Sequence, residues 1–147
     1  MKTSVIALVA CLALAGAAVA QDAPKAGALD GKVFSGDLGK TGDKKHDKDQ
    51  LTFKNGTFVS SACVAYGFHE TPYTATEKDG VVTFSATATN AKGESMVWNG
   101  TVKQGMLEAT AVNKTPSGDT TYGLKGKMGA AAAAAKPHKS EHPEHPK

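Results

Sequence analysis

The sequence has no arginine, and this absence narrows the classes of partner that the chain can recognise. Lysine supplies all 17 basic residues, and 14 acidic residues reduce the formal net charge to +3. Proteins that read nucleic acids depend on clustered positive charge and on the bidentate hydrogen bonds of arginine. The composition therefore predicts that nucleic acid is not a partner.

Cysteine is also scarce. The chain has two, Cys11 and Cys63, and Cys11 lies in a segment that we expect to be removed. A lone thiol in an oxidising compartment is buried, reactive or paired with another chain, and free cysteine is among the most buried residue types. Strand alternation from Phe58 would place Cys63 on an outer face, so its expected burial requires a bulge or the end of regular pairing near Ser60.

Catalytic motifs are absent as well. The sequence contains no Gly-x-Ser-x-Gly, His-Glu-x-x-His, Cys-x-x-Cys or phosphate-binding loop. His69 and Glu70 begin like a zinc-protease motif, but the second histidine is missing. We therefore expect no catalytic residue and no cofactor, and the sequence does not indicate an enzyme.

The first twenty residues have the pattern of a signal peptide. Lys2 provides the positive start, residues 5–15 form an apolar run, and residues 18–20 read Ala-Val-Ala, a small-x-small cleavage site. The run is too short for a membrane span. We expect cleavage after Ala20 and export to the periplasm or beyond; the alternative, a lipidated Cys11, is disfavoured because it would leave a very short apolar core.

Three further segments follow the predicted signal peptide. Residues 21–28 are predicted to be a linker, residues 29–128 a folded domain, and residues 129–147 a disordered tail rich in alanine, proline, histidine and lysine. Lys40 to Asp49 carries both charges without an apolar residue, which predicts a solvated loop. The tail histidines could bind a transition metal weakly, although a solubilising tail is the favoured interpretation; they are His138, His142 and His145.

The domain is rich in glycine and threonine, and closely spaced turn signals divide it into short alternating segments. Asn55-Gly56 and Asp79-Gly80 are strong two-residue hairpin signals, and Gln104-Gly105 is a further tight turn. Eight strands are predicted, at residues 32–38, 50–54, 57–65, 73–77, 81–89, 94–103, 106–113 and 120–128.

Such a series predicts an all-β, antiparallel up-and-down meander of about eight strands that closes into a small barrel. Large and small residues alternate on the predicted inner faces, as in Trp98 with Gly100 and Leu124 with Gly126. Ser60, Ala62 and Met128 are also assigned to inner faces. An eight-stranded barrel can be filled by side chains or can hold one small ligand.

The segment from Tyr66 to Tyr73, which reads YGFHETPY, concentrates aromatic groups near Cys63. Its aromatic residues either plug one end of the barrel, which is the commoner use of such side chains, or line a mouth that grips a ligand. If a ligand is bound, the predicted binding residues are Tyr66, Phe68, Tyr73, Trp98 and Tyr122.

Several segments of the domain resemble a group of small exported bacterial proteins of uncharacterised function. The resemblance covers about residues 29–127 and is carried by GKVFSG, LTFKNGTFVSSACVAYGF, PYTAT, VVTFSATA, VWNGTVKQGMLEATA and YGLKG. It implies a compact barrel related in shape to lipocalins and other calycins. It implies no activity and no binding residues.

Two classes of function are therefore expected. The first is a non-catalytic binding module that holds a small apolar ligand or lipid inside its barrel. The alternative is a structural or interaction protein of the cell envelope with a filled barrel. An apolar cavity of about 300 Å³ or more, open at one end, favours the first class; the sequence leaves the oligomeric state open.

Overall fold

The computed structural model describes residues 27–129, which form eight antiparallel strands and one short helix. The predicted signal peptide, most of the predicted linker and all but the first residue of the predicted tail lie outside these residues. The elements are β1 (Val33–Lys40), β2 (His46–Lys54), β3 (Thr57–Ser60), α1 (Ser61–Val64), β4 (Thr71–Lys78), β5 (Val81–Thr89), β6 (Ser95–Lys103), β7 (Met106–Thr115) and β8 (Gly118–Gly129).

Each strand pairs with the next along the chain, and β8 pairs with β1 to close the barrel. The closing register runs from Val33 opposite Gly129 to Lys40 opposite Tyr122. The predicted all-β meander barrel is thereby confirmed. Closure gives every strand a neighbour on both sides, although β3 and β4 pair at only two positions, and such closure is how small β-proteins avoid edge-to-edge association.

Three two-residue turns connect strands at one end of the barrel, which we call the turn end. They are Asn55-Gly56, Asp79-Gly80 and Gln104-Gly105, and in each both residues have positive φ, between 50° and 76°. A type I′ turn requires this conformation at both positions, which explains the glycine in the second position. All three predicted turns are confirmed. The opposite end, the loop end, carries residues 41–45, 61–70, 90–94 and 116–117.

The barrel interior is packed with aromatic side chains around Phe53. The ring centroid of Phe53 lies between 5.0 and 6.0 Å from those of Phe34, Phe58, Tyr73 and Phe84. Trp98 joins this cluster through Phe58, with ring centroids 5.3 Å apart. Most of these pairs are edge-to-face or tilted, arrangements worth about 0.5–1.5 kcal/mol beyond the burial of area.

Gly100 shows why large and small residues alternate on the inner faces. A Cβ atom at this position would lie 2.5 Å from the ring of Phe84 and 2.8 Å from the Cβ of Ala109. The large ring on β5 therefore fills the space that the glycine on β6 leaves free. This agrees with the predicted fit of small residues beside large ones.

The turn end is closed by a turn at residues 27–31, which includes Gly27 and Ala28 from the predicted linker. Leu29 is completely buried there, and its backbone N–H donates to the hydroxyl of Tyr73 at 3.0 Å. That hydroxyl donates to Asp30 at 2.9 Å, and Asp30 accepts the N–H of Gly56. One tyrosine hydroxyl thus ties the N-terminal turn to the barrel wall.

Three local predictions are wrong. The third strand ends at Ser60, where α1 begins, so Ala62 is helical rather than on a strand face. The second strand begins at His46, and Asp49 is buried rather than part of a solvated loop. Met128 is half exposed because β7 pairs with β8 only as far as Lys127, opposite Met106.

Candidate ligand-binding site

The loop end holds a cavity of about 580 Å³. Its walls come from β1 and β2 with the loop between them, from the α1 segment, and from the adjoining ends of β6, β7 and β8. The residues that line it include Leu38, Cys63, Phe68, Met96, Ala111, Asn113 and Tyr122.

The wall of this cavity is mainly apolar and its rim is charged. Phe68, Met96 and Ala111 are buried and give the wall its apolar character. The charged residues at the cavity are two lysines and three acidic residues, namely Lys40, Lys45, Asp43, Asp47 and Glu94. The four charged residues on β1, β2 and their loop are exposed and Glu94 is half-buried. The cavity therefore offers apolar contact inside and a mouth without a strong excess of either charge.

A buried carboxylate holds α1 against the barrel. Asp49 Oδ1 accepts hydrogen bonds from the N–H of Gln50 (2.7 Å), the hydroxyl of Ser61 (3.0 Å) and the N–H of Ala62 (2.9 Å). Its Oδ2 accepts the hydroxyl of Ser60 at 2.6 Å. The first N–H groups of a helix lack intrahelical partners, and an acidic side chain can satisfy them. Asp49, on the neighbouring strand β2, accepts the N–H of Ala62 in this way. This contact ends β3 and starts α1.

Cys63 faces inward because the chain turns at Ser60. Its side chain is 5% exposed, which confirms the expected burial and the expected end of regular pairing. Burial raises the pKa of the Cys63 thiol; a hydrogen bond with Ser60 acts in the opposite direction, and the charge of Asp49 raises the pKa further. A thiol in this state is a poor nucleophile.

A second polar side chain fixes the opposite wall of the mouth. Asn90 is buried; its Oδ1 accepts the N–H groups of Lys92 and Glu94. Its Nδ2 donates to Glu94 Oε2 at 2.7 Å and to the carbonyl oxygen of Tyr66 at 3.2 Å. The β5–β6 loop is therefore joined to the segment that carries Tyr66 and Phe68, and the two sides of the mouth are held together.

Asn113 differs from Asp49 and Asn90, whose side-chain polar atoms are all hydrogen-bonded. It lines the cavity, and its Oδ1 is the one buried side-chain oxygen or nitrogen atom without a hydrogen-bond partner among residues 27–129. Its cross-strand neighbours are Met96, which has no hydrogen-bond donor in its side chain, and Thr120. Buried polar atoms are nearly always hydrogen-bonded, so an unpaired acceptor at a cavity wall is unusual.

The five predicted binding residues do not all lie together. Tyr66, Phe68 and Tyr122 line the cavity, with Tyr66 74% exposed at its rim. Trp98 belongs to the aromatic cluster and Tyr73 to the closed turn end, where burial raises its pKa to about 12. Sequence reasoning did not identify Asp49, Asn90 or Asn113, although alternation from Leu107 through Ala111 places Asn113 on the inner face.

A groove of about 1050 Å³ crosses the solvent face of β1 and β5–β8. Short polar side chains and an exposed ion pair between Lys125 and Glu108 (3.0 Å) line it. Exposed ion pairs of this kind contribute little to stability or recognition. This groove is larger than the cavity and has a comparable apolar surface, but it is more open to solvent, so the more enclosed cavity is the better candidate for a small-molecule site.

Within residues 27–129, no group of three or more histidine, cysteine or acidic side chains is placed to hold a metal ion. The tail histidines lie outside the described residues. A search of the same residues for a helix of sufficient length and apolar character to cross a membrane finds none.

The described residues define a small, closed, eight-stranded antiparallel meander barrel whose shape is consistent with that of lipocalins. Comparisons of the chain with protein-family models, with curated proteins and with solved structures found no match.

Proposed function

We propose that this chain is an exported, non-catalytic barrel protein that binds one small, mostly apolar molecule in the cavity at its loop end. The observation that carries the proposal is the cavity of about 580 Å³ with apolar walls. Ligand sites in proteins typically have volumes of about 300–1,000 Å³ and are lined mainly by apolar side chains with a few polar groups.

The contrast between the two barrel ends supports this proposal. The turn end is filled by Leu29, Phe53 and their neighbours, whereas the loop end leaves space between Phe68, Met96 and Ala111. The walls of that space are held by the hydrogen bonds of Asp49 and Asn90. A cavity whose walls are fixed before binding loses little conformational entropy on binding, and this favours affinity.

The export part of the proposal is supported by the pattern of residues 1–20. The chain isolated from the medium or periplasm of its host should begin at Gln21, which N-terminal sequencing would establish. A mature chain beginning at a lipidated Cys11 would contradict cleavage after Ala20.

The alternative, an interaction protein of the cell envelope, is favoured by the packed aromatic cluster, since a barrel need not be hollow to present an outer surface. Native mass spectrometry of the full chain purified from its host separates the two functions. A retained ligand appears as a discrete added mass, whereas a partner protein appears as a larger complex.

A titration with a probe tests the site directly. 2-Methoxynaphthalene is neutral, fluorescent and small enough for the cavity. We expect it to bind the full chain, and we expect binding to be lost in Ala62→Trp, which places a large side chain at the cavity wall. Thr110→Trp is the matched control because Thr110 is exposed on the outer face of β7, opposite to the face that lines the cavity. Equal binding by both variants, or failure of the unaltered chain to bind both this probe and its hydroxyl analogue 2-naphthol, would contradict the proposal.

A further inference from the structure

We infer that the ligand is a neutral molecule with an apolar body and one hydroxyl or N–H group, and that this group donates a hydrogen bond to Oδ1 of Asn113. This inference rests on the proposed function and specifies the chemical class of its ligand. It would exclude pure hydrocarbons and molecules that have only hydrogen-bond acceptors as preferred ligands.

Asn113 Oδ1 stands alone among the buried side-chain oxygen and nitrogen atoms of residues 27–129. Both oxygens of Asp49 accept hydrogen bonds, Ser60 donates to Asp49, and both polar atoms of Asn90 are paired. Only Asn113 Oδ1 lacks a partner within residues 27–129. Leaving a buried acceptor unpaired is unfavourable. A hydrogen-bond donor on a ligand would therefore supply the partner that Asn113 Oδ1 lacks.

Within residues 27–129, no side chain donates a hydrogen bond to this oxygen. Met96, directly opposite on β6, has no donor, and the hydroxyl of Thr120, directly opposite on β8, is not bonded to it. Tyr122 lies diagonally across the pair formed by β7 and β8, because it is opposite Ala111. Its hydroxyl makes no hydrogen bond to Asn113 in the described part of the chain. An asparagine side-chain oxygen can only accept, so the matching group on the ligand has to donate.

The position of the charged residues restricts the charge of the ligand. The cationic residues that line the cavity are Lys40 and Lys45, and both are exposed. The nearby acidic residues offset their charge at the rim. A carboxylate or phosphate placed inside would therefore lose its hydration without gaining an ion pair, which is strongly unfavourable. An ammonium group inside would also lose its hydration, since Asp43 and Asp47 are exposed at the rim and Glu94 is bonded to Asn90. The interior therefore favours a neutral donor.

Two probes of nearly equal shape test the inference. 2-Naphthol carries a hydroxyl donor, and 2-methoxynaphthalene replaces it with an ether that can only accept. Titration of the full chain near pH 7, where 2-naphthol is neutral, should show about tenfold tighter binding of 2-naphthol, the size expected for one added hydrogen bond to a buried acceptor.

The variant Asn113→Leu should abolish this preference while it keeps the affinity for 2-methoxynaphthalene. Lys114→Leu is the control, since it places the same side chain one residue further along β7 at an exposed position, and it should keep the preference. Tyr122→Phe should also keep the preference for 2-naphthol, because the ligand donates its hydrogen bond to Asn113 and not to the tyrosine hydroxyl.

Each outcome has a separate meaning. Equal affinity for the two probes, tighter binding of the ether, or an unchanged preference in Asn113→Leu would overturn the inference while the proposed function stands. A preference that disappears in Tyr122→Phe would overturn it too. Failure of both probes to bind the unaltered chain would contradict the proposed function itself.

Discussion

The turn end and the loop end of this barrel are closed and stabilised in different ways. At the turn end, aromatic rings and Leu29 fill the interior, and strands are joined by two-residue turns. At the loop end, longer connections surround a cavity, and buried polar side chains hold them in place. Stability therefore comes mainly from packing at one end and from specific hydrogen bonds at the other, and this difference makes space for a ligand without opening the sheet.

The largest effect should follow from removing the indole of Trp98, which is 1% exposed. Trp98→Ala is expected to lower the free energy of unfolding by about 3–5 kcal/mol, because it removes buried contacts and leaves a cavity. Denaturant titration followed by circular dichroism would measure the loss. Tyr66→Ala, at a mostly exposed position, should change stability by no more than about 0.5 kcal/mol. A loss below about 1 kcal/mol for Trp98→Ala would show that the aromatic cluster does not dominate stability.

At the loop end, Asp49→Ala should cost about 1.5–3 kcal/mol, since it removes hydrogen bonds to a charged group and leaves the N–H of Ala62 unpaired. It should also increase the rate at which a thiol reagent labels Cys63, because α1 loses its attachment. The native chain should be labelled slowly, and quickly only in denaturant. Asp47→Ala, on the exposed part of β2, should alter neither quantity. Rapid labelling of the unaltered chain would contradict the burial of Cys63.

Tyr73→Phe tests the closure of the turn end. Losing the hydroxyl that links Leu29 to Asp30 should lower stability by about 1 kcal/mol. The pKa of Tyr73 is raised from 10.0 to about 12 in the folded chain, so folding favours the protonated hydroxyl. This contribution is complete below pH 10 and is lost as the pH rises from about 10 to 12.

The measurement for Tyr73 is the melting temperature of both chains as a function of pH. The unaltered chain should lose more stability than Tyr73→Phe between pH 10 and 12, and the two curves should converge. Parallel curves across this range would mean that the hydroxyl is not held in its protonated form.

The smallest effect, and the one opposite in sign, is expected for Asn113→Leu without ligand. Replacing an unpaired buried acceptor by an apolar side chain should raise the free energy of unfolding by up to about 1 kcal/mol. Thermal unfolding of the ligand-free chain would measure it, with Lys114→Leu as the control. A clear loss of stability would show that Asn113 has a structural partner.

Much of the architecture could be predicted from local patterns. Asn55-Gly56 and Asp79-Gly80 mark turns that the backbone adopts because both residues need positive φ. Alternation along β6 and β8 correctly assigns Trp98 and Leu124 to the interior. Residues that are adjacent in the sequence determine these features, so a local sequence pattern predicts them.

The loop end could be predicted only in part. Residues 60–62 continue a strand pattern, and the chain leaves it because Asp49, on another strand, binds Ala62. No local pattern contains that contact. The concentration of aromatic residues between Tyr66 and Tyr73 indicates Tyr66 and Phe68. The sequence does not indicate Asn113, because the predicted strand ends at this residue, whereas β7 continues to Thr115.

The register that closes the barrel has a further consequence for orientation. Because Val33 is opposite Gly129, the described chain enters and leaves the barrel at the turn end, across the molecule from the mouth of the cavity. A surface tether or a fused domain joined directly at Gly27 or Gly129, the ends of the described residues, would therefore lie away from the entrance. Immobilised through either of these residues, the barrel would present its cavity to the solution, which suits it to surface-based binding measurements.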